Sequence, residues 1–141
     1  MRSKPLVMEN LYLEKDNLIV DFKLDNNITI LTGDAGIGKT VVFNMIKEMM
    51  ETDNRIFCLN YKNSHHDILE IIRACDGKFA VVDNADILLS NEVRKFISLD
   101  SSNQYLLIGR NPKNLFATKE NIFELRREKS GNKTRFYIAH F

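Results

Sequence analysis

The sequence predicts an α/β fold, a three-layer sandwich in which helices cover both faces of a mostly parallel sheet. Four short runs are apolar throughout, as strands covered on both faces should be, and helical patterns separate them. The runs are Ile28–Thr32, Ile56–Leu59, Phe79–Val82 and 105–108. A length of 141 residues, with 44% apolar and 28% charged side chains, is typical of one globular domain spanning residues 1–141.

The two ends of the chain depart from this alternation. Two short strands at 6–13 and 18–24 predict an antiparallel hairpin ahead of the parallel strands. Near the other end, the apolar runs 122–125 and 135–138 flank the polar turn 129–133 and predict a closing β-hairpin. Between the ends, helices are predicted after Thr40, from Ser64 or Asp67, and from Ser90.

A glycine-rich run follows the strand Ile28–Thr32 and opens the first of these helices. It reads Gly33-Asp34-Ala35-Gly36-Ile37-Gly38-Lys39-Thr40 and matches the phosphate-loop (Walker A) pattern G-x-x-x-x-G-K-[ST] at every specified position. Glycines let backbone N–H groups approach phosphate oxygens, and the helix N-terminus adds a positive dipole end. Lys39 would supply a cation for the β- and γ-phosphates, and Thr40 a hydroxyl ligand for Mg²⁺. The run, with Val41 after it, therefore predicts a nucleoside triphosphate site rather than a plain glycine-rich turn.

A second motif ends the strand Phe79–Val82, which is followed directly by Asp83. A parallel strand delivers such a carboxylate at the carboxyl edge of the sheet, where the glycine-rich run is also expected. Asp83 is therefore predicted to hold Mg²⁺ through a water, the role of a Walker B acid, while Thr40 binds the ion directly.

Residues 28–111 resemble the additional-strand branch of P-loop NTPases, which includes AAA-type and STAND-type ATPases. The resemblance rests on the glycine-rich run, on Val81-Val82-Asp83, and on the strand Leu106-Leu107-Ile108-Gly109 that ends at Arg110. It implies a P-loop NTPase fold, binding of ATP with Mg²⁺, and Arg110 as a sensor of the γ-phosphate. ATP is the default nucleotide because the sequence contains no guanine-reading Asn-Lys-x-Asp motif.

One position departs from that family. Asn84 stands where the family usually places the Glu that orients the attacking water, and an amide cannot accept a proton as a carboxylate does. Asp86 either replaces that base, or caps the following helix or is simply solvated, and these interpretations stay open. We therefore expect a slow ATPase that acts as a nucleotide-dependent switch or motor subunit. The alternatives are a non-hydrolysing module that binds a protein or nucleic acid, and, less favoured, a small-molecule kinase.

Charge is unevenly distributed, with a net −4 over residues 1–103 and +5 over residues 104–141. Basic side chains cluster on the predicted closing hairpin, where they either contact nucleic acid or an acidic partner or form a solvated tip; no nucleic-acid-binding motif is present. The family resemblance also implies oligomers in which a neighbour's arginine completes the site. Arg94, Arg126 and Arg127 are candidates for that role.

The remaining features concern the compartment. Cys58 and Cys75 lie in apolar patterns, which favours free thiols and a reducing cytoplasm over a disulfide. No apolar run approaches the roughly 20 residues that cross a bilayer, and residues 1–9 lack the pattern of a signal peptide. His65 and His66 do not have metal-ligand spacing, so no metal other than Mg²⁺ is expected.

Overall fold

The computed structural model describes residues 4–34, 36–111 and 119–140. These residues form one sheet in the order β1-β2-β8-β7-β3-β6-β5-β4. The strands are β1 (Asn10–Lys15), β2 (Leu18–Lys23), β3 (Ile28–Thr32), β4 (Ile56–Leu59), β5 (Phe79–Val82), β6 (Gln104–Ile108), β7 (Ile122–Ser130) and β8 (Lys133–His140). The α-helices are α1 (Lys39–Met49), α2 (Ile68–Arg73), α3 (Ala85–Leu88) and α4 (Asn91–Leu99), and short 3₁₀ helices lie at Tyr61–Asn63 and Lys119–Asn121.

Strands β3, β6, β5 and β4 form what we call the parallel half of the sheet. Every neighbouring pair in it is parallel, and β6 lies between β3 and β5. Alternate side chains face two separate cores. Leu31, Val81 and Leu106 pack in the same core as α1, whereas Ile30 and Val82 pack in a second core with residues of α2 and α4. Apolar side chains on both faces explain why these strands read as unbroken apolar runs.

Strands β1, β2, β8 and β7 form the hairpin half. Two antiparallel hairpins, β1–β2 and β7–β8, meet where β2 and β8 pair in parallel, with Val20 opposite Phe136. The inner face is apolar and shares a core with α1 through Leu11, Phe22 and Phe136. The outer face carries charged side chains in ion pairs, including Arg135 with Asp21 and Glu128. One apolar face and one charged face are typical of antiparallel strands with water on one side.

The predicted fold class is wrong. The structure contains a mixed eight-stranded sheet, strongly curled into a half-barrel, with 27% helix, rather than a three-layer α/β sandwich of the P-loop NTPase type. The physical reason lies in the hairpin half, whose outer face is charged and so gives a second helical layer no apolar surface to pack on. Its inner face curls around α1, which is the longest of the described helices at 11 residues.

Individual elements agree better with the sequence patterns than the architecture does. Strands β3, β4 and β5 have the predicted bounds, whereas β7 and β8 extend well beyond the predicted 122–125 and 135–138. Strand β1 begins only at Asn10, because the segment before it is bound to the side chain of Gln104 instead of pairing with a strand. There, the backbone N–H groups of Val7 and Met8 both donate to Oε1 of the buried Gln104 at 2.9 Å. Helix α3 was not predicted.

Candidate functional site

The glycine-rich loop, residues 33–40, lies at the carboxyl end of β3, at the boundary between the two halves. Its backbone takes conformations that favour glycine, with φ of 86° at Gly36 and 125° at Gly38. Gly38 also permits a close approach, since a Cβ there would lie 2.5 Å from Cε1 of Phe136 on β8. The carbonyl of Gly38 accepts the N–H of Val42 at 3.0 Å, the first hydrogen bond of α1. Ala35 lies outside the described residues.

A cavity of about 280 Å³ opens beside this loop, and three neighbouring strand ends contribute to it. Lys39, Thr40 and Val41 line it from the first turn of α1, and Gly36 and Gly38 from the loop. The structure adds Asp83 and Asn84 from the end of β5 and Arg110 from the end of β6. Parallel order explains this convergence, because the carboxyl ends of β3, β6 and β5 meet at one edge. The other candidates from the loop, Gly33, Asp34 and Ile37, do not line the cavity.

Opposite charges are held half-buried in this cavity. Burial is the main cause that lowers the pKa of Lys39, and Arg110 lowers it further; Asp86, Asp34 and Asp83 act in the opposite direction. Burial likewise raises the pKa of Asp83, against the effects of the Asn84 N–H and Lys39. Lys39 Nζ donates to the carbonyl of Gly33. Both charged forms are therefore disfavoured by desolvation, and an anion beside Lys39 or a cation beside Asp83 would favour them.

The backbone conformation at position 84 favours Asn over Glu. Its backbone is left-handed, with φ of 52°, a region that Asn tolerates better than most residues. Its N–H donates to Oδ1 of Asp83 at 3.0 Å, so the turn after β5 also orients the carboxylate. The exposed side chain of Asn84 lines the cavity without capping α3.

Asp86 does not have the capping role that the sequence left open. Ser90 caps α4, accepting the N–H of Val93 at 3.3 Å, and α3 has no side-chain cap. Instead, the Asp86 side chain on α3 contacts the backbone that follows β6. Its Oδ2 accepts the N–H of Asn111 at 3.3 Å, and a Cβ on Gly109 would lie 2.8 Å from its Oδ1. Asp86 affects Lys39 electrostatically but does not line the cavity.

The three candidate arginines have different surroundings. Arg94 Nη2 donates to the carbonyl of Asp86 at 2.8 Å, and Arg126 pairs with Glu124 at 3.1 Å, so both are engaged within the chain. Arg127 is exposed and makes no hydrogen bond or ion pair with the described residues. Two other cations of the closing hairpin, Lys133 and Arg135, are also paired with acids, which reduces its positive surface charge.

The sequence analysis missed the contact between the hairpin half and the glycine-rich loop. Phe136 is 3% exposed, and its ring fills the space above Gly38. The sequence does indicate that Phe136 is an apolar strand residue. Its contact with Gly38 could be predicted only from the parallel pairing of β2 with β8, which joins segments more than 110 residues apart.

Comparison with known proteins adds no family to this description. The chain matches no protein-family model, and no curated protein is significantly similar to it in sequence. Within the described ranges, no helix is long and apolar enough to span a bilayer. The same residues contain no cluster of three His, Cys, Asp or Glu side chains suited to a metal. Both cysteines, Cys58 and Cys75, are free thiols.

Proposed function

We propose that this chain binds a nucleoside triphosphate, ATP by default, together with Mg²⁺ in the cavity beside the glycine-rich loop. One observation carries the proposal: Lys39 and Thr40 line the same cavity as Asp83, although more than forty residues separate them from it in the sequence. The resemblance to P-loop NTPases uses the same residues and gives each a role. The proposal concerns this site and does not depend on the fold class predicted from the sequence.

Each residue would have a distinct task. The backbone N–H groups of the loop and the N-terminus of α1 would surround the phosphates, and Lys39 would contact the β- and γ-phosphates. Arg110, which follows β6 and lines the same cavity, would sense the γ-phosphate. These cations suit a polyanion, because the desolvation that lowers the pKa of Lys39 is offset when phosphate oxygens approach it.

The donors also fit Mg²⁺. This ion keeps several waters and is usually held by one or two protein ligands plus substrate phosphates, rather than by a full protein cage. Thr40 and Asp83 supply a hydroxyl and a carboxylate to the same cavity, which agrees with this coordination preference. When bound, Mg²⁺ would neutralise charge that develops on the phosphate oxygens. Asp83 would be held in place by the N–H of Asn84.

We expect slow hydrolysis, with the protein acting as a nucleotide-dependent switch or motor subunit. A missing general base typically costs on the order of 10²–10⁴-fold in rate. The second candidate function is a module that binds nucleotide without turnover and presents a surface to a protein partner or a second copy. The left-handed conformation of Asn84 favours it, because a Glu there would be strained. Pairing of the hairpin cations with acids does not favour nucleic acid as that partner.

The binding test uses Lys39→Ala. We expect at least a tenfold loss of ATP–Mg²⁺ affinity by calorimetric titration, because charge-assisted hydrogen bonds contribute about 1.5–3 kcal/mol each. Lys47→Ala is the matched control, since Lys47 lies in the last turn of the same helix, away from the loop. Equal affinity in the wild type and in Lys39→Ala would reject the site.

Phosphate release by the same samples separates the two candidate functions. Slow release that is lost in Asp86→Ala would assign Asp86 as the base, and release that rises in Asn84→Glu would show that only the base is missing. Binding without release in any variant would favour the non-hydrolysing module. Wild-type release of several phosphates per second, unchanged by Asp86→Ala, would contradict the expected role of Asn84.

A further inference from the structure

We infer that Arg127 is a third cationic contact for the bound nucleotide, after Lys39 and Arg110, and acts at its α-phosphate and sugar end, within one chain. This inference rests on the proposed function. It differs from a neighbour's arginine acting at the γ-phosphate, because it assigns Arg127 to the site of its own chain and to the opposite end of the ligand.

Strand β7 brings Arg127 alongside the glycine-rich loop. The parallel pairing of β3 with β7 ends at Thr32 opposite Glu124, and β7 then continues to Ser130. A strand advances about 3.3 Å per residue, so Arg127 lies roughly 10 Å beyond the end of that pairing, in the direction of the loop. The first residue of the loop lies against β7, since a Cβ on Gly33 would lie 3.7 Å from the carbonyl oxygen of Leu125.

Strand alternation places the Arg127 side chain on the face that carries α1. Leu125 packs in the same core as Val42 and Phe43 of α1, and residues two apart in a strand share a face. The cross-strand partner of Arg127 is Phe136, whose ring meets Gly38. Directly opposed side chains lie about 5 Å apart at Cβ, so Arg127 leaves the sheet next to the ring that contacts the loop.

The order of the strands indicates which end of the ligand Arg127 would meet. Strand β7 lies on one side of β3, whereas β6 and β5, which carry Arg110 and Asp83, lie on the other. Arg110, Asp86, Asp34 and Asp83 shift the pKa of Lys39 most among the charged side chains, and none of them is on the closing hairpin. A triphosphate whose γ-phosphate lies between Arg110 and Asp83 would therefore extend its α-phosphate and sugar towards β7.

The neighbouring arginine is a matched control. Arg126 belongs to the same strand but faces the opposite side of the sheet, where Glu124 pairs with it at 3.1 Å. Arg127, by contrast, is exposed and has no partner among residues 4–34, 36–111 and 119–140. A guanidinium without a partner among the described residues can make bidentate contact with phosphate oxygens.

The experiment titrates ATP–Mg²⁺ and ADP–Mg²⁺ into the wild type, Arg127→Ala, Arg126→Ala, Arg110→Ala and Lys39→Ala. We expect Arg127→Ala to weaken both nucleotides about tenfold, since the α-phosphate and sugar are common to them. Arg110→Ala should weaken ATP alone, and Arg126→Ala should change neither by more than about twofold. Thermal unfolding without nucleotide should be the same for Arg127→Ala and the wild type, because Arg127 is exposed and has no partner in the described part of the chain.

The outcomes separate this inference from the proposed function. Wild-type affinity in Arg127→Ala, together with a loss in Lys39→Ala, would overturn the role of Arg127 and leave the site intact. A loss for ATP but not for ADP would move Arg127 to the γ-phosphate and overturn the inference. A loss seen only at protein concentrations where the chain self-associates would assign the contact to a second copy and overturn it as well. A wild type that binds neither nucleotide would reject the proposed function itself.

Discussion

The parallel half and the hairpin half of the sheet use α1 in different ways. In the parallel half, α1 is one of several helices, and apolar side chains face both sides of the strands. In the hairpin half, α1 is the helix that the inner face packs on, and the outer face is charged. The parallel half supplies Asp83, Asn84 and Arg110 to the cavity, whereas the hairpin half supplies the Phe136 ring against Gly38.

The polar side chains that line the cavity and the packing against the loop therefore come from different parts of the molecule. The side chains that line the cavity extend from the ends of parallel strands and from α1, as expected for ligand sites at that edge. The hairpin half contributes mainly packing, and it fixes the loop by filling the space that a side chain at Gly38 would need. Apart from the contact inferred for Arg127, variants of the hairpin half should therefore act on the loop through packing, in proportion to their contact with it.

The largest effect is expected from Phe136→Ala. Removing a ring that is 3% exposed should lower the free energy of unfolding by about 3–5 kcal/mol, because it leaves a cavity between β8 and α1. Tyr137→Ala is the matched control, since the next residue faces the outer side and stacks with Arg135 at 5.0 Å. Its cost should be about 1 kcal/mol. Urea unfolding measures both, and equal costs would contradict the difference between the two faces.

An intermediate effect is expected from Gly38→Ala. The new Cβ combines a strained φ of 125° with an approach of 2.5 Å to Phe136, so the free energy of unfolding should fall by about 2–4 kcal/mol. Gly36→Ala separates the two causes. Gly36 also has a positive φ, but a Cβ there meets no atom within 4 Å, so only about 1–2 kcal/mol should be lost.

The double variant Gly38→Ala with Phe136→Ala sharpens this test, because the shortened residue 136 makes room for the Cβ. The two single costs should then add to more than the measured cost of the pair. Additive costs would mean that Phe136 does not limit the loop.

The smallest effect is expected from Glu128→Gln on the outer face. Glu128 pairs with Arg135 at 2.8 Å, but both side chains are well exposed, at 55% and 37%. Such pairs contribute about 0–1 kcal/mol and are screened by salt. We expect a loss of about 0.5 kcal/mol in urea unfolding at low salt and none at 1 M salt. Glu51→Gln, at an exposed acid without an ion pair in the described part of the chain, controls for the change in net charge.

The local elements were predictable from the sequence, whereas the architecture was not. Buried parallel strands such as Ile28–Thr32 and Phe79–Val82 are marked by mostly apolar runs without charged residues, so their bounds follow from composition. The curl of the sheet depends on β8 inserting between β2 and β7. No local pattern encodes that pairing, and the charged outer face that excludes a second helical layer becomes evident only when the register is known.

The candidate site, too, was predictable from the sequence only in part. That Lys39, Thr40, Asp83 and Arg110 line one cavity could be expected, because each follows a parallel strand and such strands end at one edge. The surroundings of Asp86 could not be expected, since its contacts are with Gly109 and Asn111 across a loop rather than with its own helix. The sequence alone does not distinguish Arg127 from Arg94 and Arg126. Only the strand register shows on which face of the sheet Arg127 lies.

The position of β8 between β2 and β7 also has a consequence for how the chain folds. Arg135 on β8 bonds to Asp21 on β2 across 114 residues, so this strand pair has a very high sequence separation. During synthesis the β1–β2 hairpin emerges early and keeps an open edge until β8 has left the ribosome. High contact order slows folding, and Phe136 cannot fix the loop before β8 inserts. The glycine-rich loop should thus become rigid only after β8 has inserted, well after the strand that precedes it has formed.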